Sequence, residues 1–263
     1  MNAGEKFNRL VEIMARLRGP DGCPWDREQT PESIRPYCIE EAYEVVEAID
    51  EGDPKKLSEE LGDLLLQVVF HARFGEEKNQ FNVEGVIDSI NEKLVRRHPH
   101  VFRRNKGDEA STPDEVLEKW AKIKKLEGRK HLLDGIPKAL PALLRATRMG
   151  EKAGGVGFDW PDAEGVWKKV EEEMDELRAA KGDLKKTEEE LGDLLYALTS
   201  LARHLKVDAE SSLRMATEKF EKRFRWMEEE ARKRGEELAE LTADELDRLW
   251  NQGKMTTREV EKK

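Results

Sequence analysis

The chain has 263 residues and a formal net charge of −10 at pH 7, with 40% charged and 37% hydrophobic side chains. At roughly 100–200 residues per domain the length allows one large or two small domains, and the acidic balance opposes general binding to the polyanion of nucleic acid. The densest apolar run, Leu64 to Phe70, is far too short for a bilayer span, and Met1 to Arg18 lacks a signal-peptide core, so a cytoplasmic protein with no membrane partner is expected.

In chain order, Phe7, Leu10, Val11, Met14 and Leu17 recur at three- and four-residue steps and predict a first helix. Gly19-Pro20-Asp21-Gly22 is a loop, followed by Cys23-Pro24-Trp25-Asp26. The two cysteines, Cys23 and Cys38, stand in no CxxC or histidine-paired spacing, which suggests neither a disulfide nor a thiol-ligated zinc site. Ile39, Tyr43, Val46 and Ile49 predict a second helix. Asp53-Pro54 is an N-cap with proline at the first helical position and opens a third helix through Phe74. Residues 83–97, 113–127, 164–180, 186–205, 208–234 and 242–252 follow the same periodicity. No stretch alternates with a period of two between hairpin turns, so the expected class is all-α, built of helical bundles.

The chain reads twice. Glu60-Leu61-Gly62-Asp63-Leu64-Leu65 recurs as Glu190-Leu191-Gly192-Asp193-Leu194-Leu195, at an offset of 190 − 60 = 130. Glu40-Glu41-Ala42-Tyr43-Glu44 answers to Glu172-Glu173-Met174-Asp175-Glu176, 132 residues later. Asn91 to Arg97 resembles Thr217 to Arg223, and Trp120 with Lys124 pairs with Trp250 and Lys254. Six residues repeated in order at half the chain length indicate two copies of one domain, 1–130 and 131–263, with a boundary near the Gly128, Gly135 and Pro137 punctuation. Gly154-Gly155-Val156-Gly157 then lies inside the second copy, as Gly19 to Gly22 lies inside the first.

On the helix from Glu60 to Phe74, apolar residues cover almost the whole circumference, which predicts burial on all sides. Glu60, Asp63, Gln67 and His71 nevertheless fall in one narrow stripe, and Glu190 and Asp193 keep the same setting in the second copy. Carboxylates on a buried helix are costly unless paired or metal-bound. Glu41 and Glu44, like Glu173 and Glu176, are three apart on the preceding helix and share a face. A helical hairpin would bring four carboxylates together, and their mutual repulsion then requires a proton or a cation. Carboxylate oxygens favour Mg²⁺ or Mn²⁺. Glu40, Glu47, Glu51, Glu171, Glu188 and Glu189 read as ordinary solvated helix-face residues.

Glu-Glu-x-x-Glu followed by Glu-x-x-Asp, present twice, resembles the signature of the MazG nucleoside triphosphate pyrophosphohydrolases. Gly22-Cys23-Pro24-Trp25-Asp26 and Arg96-Arg97-His98-Pro99-His100-Val101-Phe102 are similar to the full-length, two-domain form. The resemblance spans nearly the whole chain. It implies two tandem all-α domains, a dimer, Mg²⁺ dependence, and hydrolysis of NTPs and dNTPs to the monophosphate and pyrophosphate in nucleotide-pool clearance. By motif, it assigns Glu173, Glu176, Glu190 and Asp193 as metal ligands, with Glu41, Glu44, Glu60 and Asp63 as first-copy equivalents. Catalysis falls to Glu172, Glu173 and Glu190. Nucleotide contacts fall on Lys169, Val170, Glu171, Glu172, Glu173, Lys219, Phe220, Glu221, Lys222, Arg223 and Trp250. The second copy is the favoured catalytic one, because Leu94 and Val95 stand in the first where the second has Phe220 and Glu221.

The residues support that chemistry independently. A triphosphate cannot approach a bare acidic cluster, whereas bound metal ions reverse the local sign. Lys219, Lys222 and Arg223 can neutralise phosphate charge, and stacking on Trp250 tolerates any base, which predicts broad base specificity. Two rivals stand against this reading. A di-iron bundle requires Glu-x-x-His pairs, and none of the five histidines follows a Glu at that spacing. A non-catalytic helical module with acidic grooves for a basic partner predicts no metal dependence. His98-Pro99-His100 has no third ligand at suitable spacing and reads as a turn.

Overall fold

The computed structural model describes residues 1–103, 110–112, 115–116, 119–120, 123 and 131–260, the last four as backbone only. Every regular element among them is helical. The helices are α1 (Ala3–Leu17), α2 (Pro24–Glu28), α3 (Pro31–Glu51), α4 (Pro54–Glu77), α5 (Val83–Arg97), α6 (Pro99–Phe102), α7 (Ala142–Gly154), α8 (Ala163–Ala179), α9 (Leu184–His204), α10 (Ala209–Lys233) and α11 (Ala243–Val260), with a 3₁₀ turn at Leu238–Glu240. The chain divides into two compact units, Met1–Pro113 and Asp114–Lys263. The helix expected over 113–127 lies largely outside the described residues.

Local chemistry sets the helix starts. Asn2 and Glu5 form a reciprocal capping box on α1, and Thr30 with Ser33 does the same on α3. The Asp53 carboxylate accepts from the Lys55 and Lys56 N–H groups, with Pro54 in the first turn. Asp162, Asp183 and Asp208 cap α8, α9 and α10 in the same manner. Gly52 ends α3 in the left-handed region, at φ 68°, and the α8–α9 turn uses Gly182 at φ 96°. A Cβ at either position meets the steric penalty of that region. Both acidic helix pairs are therefore hairpins with short, defined turns.

In the first unit α3 and α4 pack most extensively on each other, and α1 lies along α4. Their core is Met14, Ile34, Val69, Phe70 and Phe74, flanked by Phe7, Leu10, Val11, Leu17 and Leu66. Arg18 locks the Cys23–Gln29 segment onto the end of α4. Its guanidinium lies 4.4 Å from the Phe74 ring centre, donates to both Glu77 oxygens at 2.8 and 2.9 Å, and donates to the carbonyls of Gln29 and Asp26.

The second unit repeats the plan. α8 and α9 form the central pair around Val166, Val170, Ala197 and Leu201, and α7 packs on α9. The periodicity reading assigns no element to 142–153. Helix α7 takes the place there that α1 holds in the first unit. Asp159 ties the loop after α7 to α9 through two bonds from Arg203, at 2.5 and 2.7 Å, and one contact with His204 at 3.0 Å.

The expected burial of α4 and α9 on all sides is not met. Leu61, Leu65 and Val68 are about half exposed, as are Leu191, Leu195 and Leu198. In each unit the hairpin partner covers one face of the helix, and within a single chain the opposite apolar face stays open.

Candidate active site

The hairpins bring the predicted carboxylates together. In the second unit Glu173 of α8 meets Glu190 and Asp193 of α9, with one oxygen from each within 4.8 Å of the others. In the first unit Glu41 of α3 meets Glu60 and Asp63 of α4 in the same way. Helical spacing aligns Glu190 with Asp193, and the turn at Gly182 decides that α8 faces them. The fourth predicted ligand of each set, Glu176 or Glu44, adds its charge to the same group. Desolvation raises the Glu190 pKa, and repulsion from Glu176, Glu173, Glu189 and Asp193 raises it further. Glu41 and Glu60 are raised by desolvation and then by neighbouring carboxylates, Asp63 for Glu41 and Glu44 followed by Asp63 for Glu60.

Burial separates the ligands. Glu173 is only 4% exposed, whereas Glu190 is half-buried and Asp193 faces solvent. The Glu173 Oε1 atom is 2.7 Å from Lys169 Nζ, and its Oε2 is buried without a hydrogen-bond partner. A buried carboxylate oxygen left unpaired costs several kcal/mol of lost solvation, on the order of 1–3 or more. That cost disappears when a cation sits among Glu173, Glu190 and Asp193, so the donor set fits a hard divalent ion. Lys169 also contacts Glu172 at 2.7 Å, and these two carboxylates raise its pKa.

Residues 29–102 and 163–227, the two stretches that hold these clusters, match the MazG nucleotide pyrophosphohydrolase domain. The chain belongs to the MazG family. It is 51% identical to the nucleoside triphosphate pyrophosphohydrolase/pyrophosphatase MazG of Thermotoga maritima over 96% of this chain and 97% of that protein. It is 44% identical to the nucleoside triphosphate pyrophosphohydrolase of Escherichia coli K12, over 95% and 97% of the two chains. The crystal structure of a MazG-related protein from Thermotoga maritima aligns at 30% identity and a TM-score of 0.38, covering 45% of this chain and 98% of that one. Membership makes this chain an enzyme of the nucleotide pyrophosphohydrolase class. No helix among the described residues is long and apolar enough to cross a membrane.

The remaining predicted residues of this MazG chain sort into groups. Val170 packs into the second core, while Glu171 and Glu172 face solvent on α8. Phe220 of α10 lies 5.1 Å from Trp250 of α11, centre to centre. Arg223 and Lys254 approach the Trp250 ring at 5.8 and 6.0 Å. Lys219, Glu221 and Lys222 are exposed on the same helix, and Glu221 pairs with Arg225 at 2.5 Å. Phe220, Arg223 and Lys254 thus gather on the Trp250 ring, while Lys219 and Lys222 are exposed on the same helix as Phe220. Phe224 stacks on Phe220 at 5.9 Å, and neither it nor Lys254 is among the residues expected from sequence. Their i+4 spacing from Phe220 and Trp250 is the signal that could have found them.

The first MazG copy holds a contact that sequence spacing does not reveal. Cys38 Sγ is 3.3 Å from His71 Nε2, and Gln67 Nε2 donates to Glu41 Oε1 at 3.3 Å. His98, by contrast, ends α5 with Nδ1 2.7 Å from the Leu94 carbonyl, as a turn residue does.

Proposed function

We propose that this MazG chain hydrolyses NTPs and dNTPs at the α–β phosphoanhydride, releasing the nucleoside monophosphate and pyrophosphate, with Mg²⁺ or Mn²⁺ held in the second cluster. The observation that carries this reading is the orphaned, buried Glu173 oxygen beside Glu190 and Asp193. Glu173, Glu190 and Asp193, with Glu176 adjoining, would hold the ion, which would supply the positive charge needed for a polyphosphate to approach and for developing negative charge to be stabilised.

The protein's own groups do the rest. Glu172, exposed next to the cluster, accepts a proton from the attacking water; Glu173, if freed from Lys169, is the other candidate base. Lys169, paired here with Glu172 and Glu173, would offer its ammonium to a phosphate oxygen once a cation held by Glu173 took that carboxylate. Lys219, Lys222 and Arg223 neutralise the phosphates, while Phe220 and Trp250 stack on the base. A stacking platform reads no base edge, which supports broad specificity. The open apolar faces of α4 and α9 support a homodimer, since exposed patches of this kind are covered in stable assemblies. The substrate class fits nucleotide-pool clearance in the cytoplasm.

An NTP and dNTP panel with product identification tests the proposal. Pyrophosphate plus monophosphate, dependent on added Mg²⁺, is the expected result. Orthophosphate release, or turnover that survives chelation, overturns it.

A further inference from the structure

The first unit carries a polar junction where the second is dry. The stripe that begins with Glu60 and Asp63 continues along α4 as Gln67 and His71. At the repeat offset of 130 the second unit has Ala197 and Leu201, both in its core, and Cys38 corresponds at offset 132 to buried Val170. In the first unit Cys38 Sγ stands 3.3 Å from His71 Nε2 and 4.0 Å from Gln67 Oε1. An open cleft of about 430 Å³, lined by Pro31, Glu32, Arg35, Cys38 and His71, leads solvent to the pair.

We propose that Cys38 and His71 form a site for a thiophilic divalent cation of the zinc class, with Gln67 Oε1 and water as further donors. A tetrahedral ion with Zn–S of about 2.3 Å and Zn–N of about 2.0–2.1 Å needs sulfur and nitrogen roughly 3.5 Å apart. The observed 3.3 Å requires an adjustment of a few tenths of an ångström, within side-chain freedom. Gln67 and His71 are four apart on α4, so both face Cys38 on α3. Desolvation lowers the His71 pKa, which keeps a ring lone pair for a metal, while burial and the Glu41 charge push the Cys38 thiol up, so the ion must displace a held thiol proton. Binding releases the thiol proton to solvent. Two strong protein donors and an open cleft describe an exchangeable site rather than a sealed structural one. Its donors also differ in class from the neighbouring carboxylates. Thiolate and imidazole select zinc-like ions, while the carboxylates of Glu41, Glu60 and Asp63 suit Mg²⁺.

Cobalt(II) titration of the full chain, under reducing conditions and with excess Mg²⁺ present, tests this site. A thiolate-to-cobalt charge-transfer band should saturate at one equivalent, and Zn²⁺ should bleach it. The band should vanish in Cys38→Ser and His71→Gln and persist in Cys23→Ser. Cys38→Val and His71→Leu, which install the second unit's own residues, serve as packing-compatible replacements if melting by circular dichroism shows the polar variants unfolded. Absence of the band in the wild-type chain overturns the proposal, as does its survival without Cys38 or without His71. Loss of the NTP activity proposed above has no bearing on this readout, which follows metal bound at the Cys38–His71 pair and not turnover.

Discussion

The two acidic clusters share a backbone plan and differ in what surrounds the carboxylates. In the second, Glu173 is buried, one of its oxygens is paired to Lys169 and the other is unpaired. In the first, Glu41 is half-buried and takes a neutral amide bond from Gln67, while Tyr37 occupies the position of Lys169 at the repeat offset of 132. The same Glu-x-x-Asp register therefore yields a buried ligand paired to Lys169 in one unit and a half-buried ligand bonded to the Gln67 amide in the other. Duplication copies the ligands readily, because they depend on helical spacing. Burial and counter-charge depend on neighbours from other elements and diverge freely.

Five substitutions sharpen or break that comparison. The largest effect is expected for Glu190→Gln and Asp193→Asn, which should lower Mg²⁺-dependent pyrophosphate release by about 10²–10³-fold. Melting temperature should hold or rise for Glu190→Gln, since like-charge repulsion is relieved. Full turnover in both variants would move the chemistry to the first unit. Next, Lys169→Met should tighten nucleotide-free Mn²⁺ binding to the second cluster by about tenfold, as Glu173 loses its internal partner. Paramagnetic resonance of free Mn²⁺ measures this, and unchanged affinity would show that the Lys169 pair does not compete with metal.

Asp159→Asn reports on the scaffold rather than the site. Hydrogen bonds from Arg203 hold the Asp159 pKa down to about 2. The contribution of this carboxylate is therefore fully present above its unfolded pKa of about 3.9 and is lost as pH falls through about 2. The variant should be about 1–2 kcal/mol less stable at pH 7, after allowance for partial exposure, and the gap should close as pH falls from about 4 to 2. Denaturant titration at several pH values checks this; a gap that stays constant with pH would mean the ion pair is not its source. The smallest effect is expected for Glu60→Gln, below about threefold on turnover, because the first cluster lacks the buried, unpaired ligand that marks the second. A larger loss than for Glu190→Gln would reverse the assignment of the two units.

The sequence alone determined the helical class, the duplication, the Asp53 cap and which carboxylates share a helix face. All of these follow from spacings of a few residues, and an α-helix converts such spacings directly into direction. Tertiary structure decided the rest. It buried Glu173 but left Asp193 in solvent, set Lys169 on the cluster, and joined Cys38 to His71 across 33 residues. It also left Leu61, Leu65 and Val68 open although their helix is apolar nearly all round. Periodicity specifies which way a side chain points along its own helix. Whether another element lies there to exclude water or to offer a charge is fixed only when the helices pack, because desolvation and pairing arise between segments distant in the chain.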